Sequence, residues 1–296
     1  MSLLSQLVDP SYWINRLTYV VTLFVMVLFA LWLIAMVWWN DPPSGHLMTI
    51  IVWCSLLGIV LLEERRQPSG SVITTGILPT RQTVPMIIRG ALWSTAMLFG
   101  IATIVFAAGG SFTVGTFRFD FLTALGVIIA AIGEELFFRT TILRVLNDRF
   151  GPVVGIVSTS ALFALAHTGN SGASFLSNAN TFLIGIALGV VVTQGGSIWL
   201  AAGFHVVWNL TVALFFGTVS GNELGIGWLT VELPQQSSWS TLIVGDTYGI
   251  ESGLATTLMI TISLAVLRHI VVVDPFVIAA RIRSSLQMKV LPTMRP

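Results

Sequence analysis

The sequence predicts an all-α fold, a polytopic transmembrane bundle of about eight helices with its buried ionisable groups on the fourth, fifth and seventh. Three observations predict it. Hydrophobic residues fill 55% of the 296 positions and charged residues only 9%, whereas soluble domains carry about 25% charged residues. Mean hydropathy is +0.89, the value of a chain solvated by lipid. Finally, the apolar residues gather into runs approaching the length that a bilayer core about 30 Å thick demands, about 20 residues per helix.

The first run, Leu17–Trp39, follows a segment without a cleavable signal pattern and exceeds a signal-peptide core, so it reads as a retained span. The second, Leu47–Leu62, holds Cys54, the sole cysteine, which excludes an internal disulfide and a cysteine metal cluster and reads as a small buried hydrophobe. Ile87–Ala108, Phe121–Asn147 and Pro152–His167 follow. Thr181–Val192 is short for a span and Pro152–His167 marginal, so seven or nine spans also fit. Gly185 and Gly189 form a Gly-x-x-x-Gly pair suited to close helix packing. Ile198–Thr218 and Ser252–Val273 complete the set, and residues 1–296 read as a single integral membrane domain.

Charge in the loops sets the orientation. With Met1 in the cytoplasm, the inner loops and tails hold Arg16, Arg65, Arg66, Arg81, Arg144, Arg149, Arg281, Arg283, Lys289 and Arg295. The outer loops hold only Arg118, and Val219–Glu251 carries Glu223, Glu232, Asp246 and Glu251 without a Lys or Arg. This is a positive-inside pattern, and it implies cytoplasmic termini; the expected setting is the plasma (inner) membrane of a prokaryote. The basic tail after Pro275 reads as an anchor on anionic lipid. Trp38, Trp39 and Trp199 fit an interfacial belt. A net charge of +1 gives no field for nucleic acid; the expected partners are the bilayer and a peptide or protein substrate in or on it.

Ionisable groups inside spans are expensive, and here they concentrate on three segments. The fourth has Gly133-Glu-Glu-Leu-Phe-Phe-Arg139, the fifth ends Phe163-Ala-Leu-Ala-His167, and the seventh has Gly203-Phe-His-Val-Val-Trp-Asn209. Glu135 and Arg139 are i and i+4, which predicts an ion pair on one helix face. Glu134 lies about 100° around the helix, free of that partner and suited to act as a general base. His205 and Asn209, also i and i+4, read as two neutral donors aimed at a developing oxyanion. His167 needs a partner across helices, and Phe163, one turn before it, reads as packing that fixes its ring. Counting depth from Arg139 as the inner surface places all three polar sets about 10 Å inside, in a cavity open to the cytoplasm.

These motifs, Glu-Glu-x-x-x-Arg, Phe-x-x-x-His and His-x-x-x-Asn in this order on membrane segments, resemble the CAAX protease and bacteriocin-processing (abortive-infection) family, which includes the type II CAAX prenyl endopeptidases. The resemblance covers about residues 121–218. It implies an intramembrane endopeptidase in which Glu134 and His167 activate water, His205 and Asn209 form the oxyanion hole, and Glu135, Arg139 and Phe163 support them. No cofactor is implied. Two carboxylates and two histidines also suit zinc, but a His-Glu-x-x-His helix is absent and the metal-free mechanism is preferred. The other readings are a non-enzymatic immunity or scaffold protein that binds a peptide, and a proton-coupled transporter with Glu134 as relay.

Overall fold

The computed structural model describes residues 18–28, 45–66, 76–224, 226–232, 242–245 and 247–271. Trp38, Trp39, Asp246 and the basic tail lie outside the described residues. Eight apolar helices follow the eight runs of the sequence: α1 Thr18–Leu28, α2 Gly45–Arg66, α3 Thr83–Ala107, α4 Phe121–Phe150, α5 Pro152–His167, α6 Phe175–Gly195, α7 Trp199–Phe216 and α8 Leu254–Ile270. By length and composition α3, α4, α6 and α7 are long and apolar enough to cross a membrane, while α5, α8 and the apolar part of α2 are shorter; of α1 only Thr18–Leu28 lies among the described residues.

Local chemistry sets the ends that matter for the site. Asp120 caps α4, its carboxylate accepting from the Thr123 amide at 2.8 Å. The helix passes through a π-helical stretch, Leu136–Ile142, and stops at Gly151, whose φ of 86° suits only a residue without Cβ. Pro152 then opens α5, where its missing N–H costs nothing. The helix α6 begins at Phe175, six residues before the apolar run, because Ser174 and Ser177 form a reciprocal capping box. Hydropathy alone hides that first turn, since its Ser and Asn side chains are polar, and the expected short span is a full 21-residue helix.

The core centres on α7. Gly90 of α3 and Gly203 of α7 face each other's backbones: a Cβ on Gly203 would fall 2.5 Å from the Ile87 carbonyl oxygen, and one on Gly90 2.2 Å from that of Leu200. Backbone contact of this kind is how small residues lock membrane helices without a hydrophobic drive. Likewise α6 packs on α5 through Gly185 against Ser160 and Gly189 against Ile156. Trp93 of α3 donates to Ser263 of α8 at 3.0 Å. Cys54 departs from expectation; it lies on the exposed face of α2, not in the core.

Short strands decorate one end of the bundle. β1 Ser111–Arg118 pairs antiparallel with β4 Gly227–Glu232, and β2 Thr218–Val219 pairs with β3 Asn222–Glu223. The β2–β3 loop is the dipeptide Ser220-Gly221, with φ of 47° and 79°. Two positive φ values in a two-residue loop make a type I′ hairpin turn.

Candidate active site

The fourth, fifth and seventh helices bring their motifs together. Glu135 is fully buried, and its two carboxylate oxygens are both committed. Oε2 accepts from Arg139 Nε at 3.2 Å, and Oε1 accepts from His205 Nδ1 at 2.9 Å. The i, i+4 pair expected from sequence is therefore present, within the π-helical turn, and it reaches across to α7. Arg139 is itself only 2% exposed. Its guanidinium lies over the Phe163 ring, 5.1 Å from the centroid, a cation–π contact that offsets part of its desolvation.

Phe163 is the hinge of the arrangement. Its ring centre stands 4.6 Å from that of His167 and 6.1 Å from that of His205, with Phe138 edge-on at 5.1 Å. Its carbonyl accepts from His167 Nδ1 at 2.8 Å. A carbonyl oxygen can only accept, so the proton of neutral His167 sits on Nδ1 and Nε2 presents its lone pair. That lone pair points towards Glu134, whose Oε2 is 4.0 Å away.

Glu134 Oε2 is buried and has no hydrogen-bond partner among the described residues. It stands 3.7 Å from His205 Nε2 as well. The geometry thus separates the two adjacent glutamates, one saturated by Arg139 and His205, the other facing two imidazoles with no hydrogen bond to its Oε2 among the described residues. With Nδ1–H donated to Glu135, a neutral His205 presents a lone pair at Nε2, and an imidazolium presents a second N–H there. Among the described residues, no three His, Cys, Asp or Glu side chains have a metal-ligating arrangement.

Two π-helical stretches flank this cluster, Leu136–Ile142 just after the glutamates and Val212–Phe216 just after Asn209. Such turns recur at functional sites, because widening the ladder re-aims side chains on either side. A cavity of about 440 Å³ holds Glu134, His167 and Asn209 in its wall. It extends along α4 to Thr123 and takes in Asn170, Val219, Ser220 and Asn222. It therefore lies towards the end of the bundle where α4 begins and α5 stops. The sequence placed the opening at the other end by taking Arg139 as a mark of the membrane surface. Arg139 is buried against Glu135 and Phe163, so its charge is met inside the protein and does not require a place at the membrane surface.

One contributor escaped the sequence reading. Glu251, in the turn Ile250–Ser252 ahead of α8, accepts from Trp208 Nε1 at 2.8 Å and from the Ser220 amide at 2.5 Å. Burial holds its carboxyl above the usual carboxylate value, a rise that these two hydrogen bonds offset only in part. In the sequence it is one acid among several in a loop, and its only signal is its place beside a span. His269 lies exposed near the end of α8, away from this cluster.

Residues 117–211 match the family model described as type II CAAX prenyl endopeptidase Rce1-like. No curated protein and no solved structure matches the chain. The matched stretch contains Glu134, Glu135, Arg139, Phe163, His167, His205 and Asn209. The chain is an integral membrane protein whose segment 117–211 matches the Rce1-like type II CAAX prenyl endopeptidase family model, in line with the family that its motifs resemble.

Proposed function

We propose that this protein is a metal-independent intramembrane endopeptidase that hydrolyses a peptide bond of a membrane-associated substrate. One observation carries the reading: Glu134 Oε2, with no hydrogen bond among the described residues, faces the Nε2 atoms of His167 and His205, at 4.0 and 3.7 Å. Neutral His167 presents a lone pair and Glu134 presents a carboxylate, so both are acceptors. A water molecule has the two O–H donors that such a pair requires. Glu134 takes one proton as the oxygen attacks the scissile carbonyl carbon, and His167 orients the same water. Imidazolium His205 and the Asn209 amide donate to the carbonyl oxygen as its negative charge develops. The C–N bond then breaks, the proton held by Glu134 passes to the leaving amine, and the new carboxylic acid departs, losing its remaining proton to water.

Glu135, Arg139 and Phe163 act one step removed. Glu135 sets the His205 ring and its charge, Arg139 balances Glu135, and Phe163 presents the carbonyl that fixes the His167 tautomer. The substrate class follows the family name: a prenylated peptide with a CAAX terminus, against which a transmembrane peptide and a leader peptide are the alternatives. The test reconstitutes the purified protein in proteoliposomes and offers each of these three, with cleavage read by mass spectrometry. Cleavage of the farnesylated CAAX peptide is expected, and failure to cut any of the three would sink the hydrolase reading. Comparison of peptide termini in membranes with and without the protein then identifies the natural substrate.

A further inference from the structure

We propose that Glu251 is a positioning residue for this site, tying the helix that carries His205 and Asn209 to the hairpin that walls the cavity. The proposal rests on the hydrolase reading for its kinetics but not for its geometry. Glu251 lies outside the family segment, 42 positions beyond Asn209.

Its two oxygens serve two different elements. One accepts from the indole N–H of Trp208, the residue next to Asn209 and three after His205. Trp208 is itself fixed by stacking on Phe204, with centroids 5.6 Å apart and planes at 18°. The other accepts from the amide of Ser220 in the type I′ turn. Ser220 is the only described non-glycine residue with positive φ, a conformation that side chains disfavour and that an outside contact must hold. Its neighbour Gly221 is jammed against the loop after α5, since a Cβ there would lie 1.9 Å from the Ser171 carbonyl oxygen.

Glu251 is in turn anchored from a third side. Asn180 of α6 donates from Nδ2 to the main-chain oxygens of Glu251 and Gly253, at 2.9 and 3.1 Å. The carboxylate is thus a fixed post between α6, α7 and the hairpin. Below it lies a small chamber of about 50 Å³, walled in part by His167, His205, Asn209, Ser220 and Glu251. Ser220, His167 and Asn209 line both this chamber and the larger cavity. Moving the hairpin or Trp208 therefore moves the wall shared by the reacting groups.

Glutamine is nearly isosteric but has one acceptor oxygen, and its NH2 then opposes one of the two donors. Purified wild type, Glu251→Gln, Trp208→Phe and the double variant are compared in proteoliposomes with the farnesylated CAAX peptide as probe. Glu251→Gln is expected to lower kcat about tenfold, and Trp208→Phe to lower it less; the double variant is expected to be no worse than Glu251→Gln, because both break one link. Hydrogen exchange of amides 217–224 is expected to speed up in Glu251→Gln and to stay slow in Trp208→Phe. Unchanged hairpin exchange, or losses in kcat that multiply in the double variant, would overturn the proposal. Should Glu251→Gln fail to fold, Trp208→Phe alone decides, since full kcat in that variant removes the link to α7. If wild type fails to cleave the probe, the hydrolase reading falls, and the exchange comparison still decides whether Glu251 holds the hairpin.

Discussion

Glu135 carries more of the site than its place beside Glu134 suggests, because a single carboxylate satisfies Arg139 on its own helix and His205 on another. Glu135→Gln replaces one acceptor oxygen by a donor and leaves Arg139 Nε or His205 Nδ1 opposed. By analogy with other carboxylates that hold a catalytic histidine, kcat should fall about 10²- to 10⁴-fold with the protein still folded. Steady-state cleavage of the prenylated probe checks it. Arg139→Met is a stability change instead, since it strips a buried carboxylate of its cation; about 3–5 kcal/mol is the expected loss, read by denaturant unfolding in detergent. The Glu135–Arg139 pair was legible from i, i+4 spacing. The link to His205 was not, because 70 residues separate the two and no local rule reports contact across helices.

At the scale of elements, the position of α7 follows from glycine rather than from its polar residues. Gly203 sits two residues before His205 and touches the α3 backbone at Ile87. Gly203→Ala should push the helices apart, costing about 1–3 kcal/mol through overpacking. It should depress kcat more than that loss of folded protein accounts for, because His205 moves with the helix. Thermal unfolding alongside specific activity separates the two effects. Helix identity and order were legible from hydropathy, and α5 spans the residues expected for it, Pro152–His167. The start of α6 was not legible, because a polar capping turn looks like loop to a hydropathy window. Nor were the π-helical stretches, which leave no periodic signature in seven residues or fewer. The small strands escaped as well, since β1 and β4 are about 110 positions apart in the chain and pair only in the fold.

For the whole molecule, two inferences from charge meet at the cavity. The loop arginines predict that the segment 219–251 lies outside, and residues at its start, Val219, Ser220 and Asn222, line the cavity. The expected consequence is a site reached from the outer face. In a Cys54→Ser background, Asn222→Cys should react with a membrane-impermeant maleimide in intact cells; reaction only after permeabilisation would place the opening on the cytoplasmic side. The motif residues were legible as a group because six ionisable or amide side chains within apolar spans are hard to explain singly. Glu251 was not, since an acid in a polar loop is ordinary until the fold turns it inward.

The central claim is that Glu134 supplies the base and no metal is required. Its most direct test is cleavage of the farnesylated CAAX peptide by purified protein in proteoliposomes containing excess chelator, with wild type and Glu134→Gln compared at equal folded fraction. Wild type should cleave undiminished, and Glu134→Gln should be slower by about 10²-fold or more. Undiminished cleavage by Glu134→Gln, or wild-type activity that chelation abolishes and zinc restores, would contradict it.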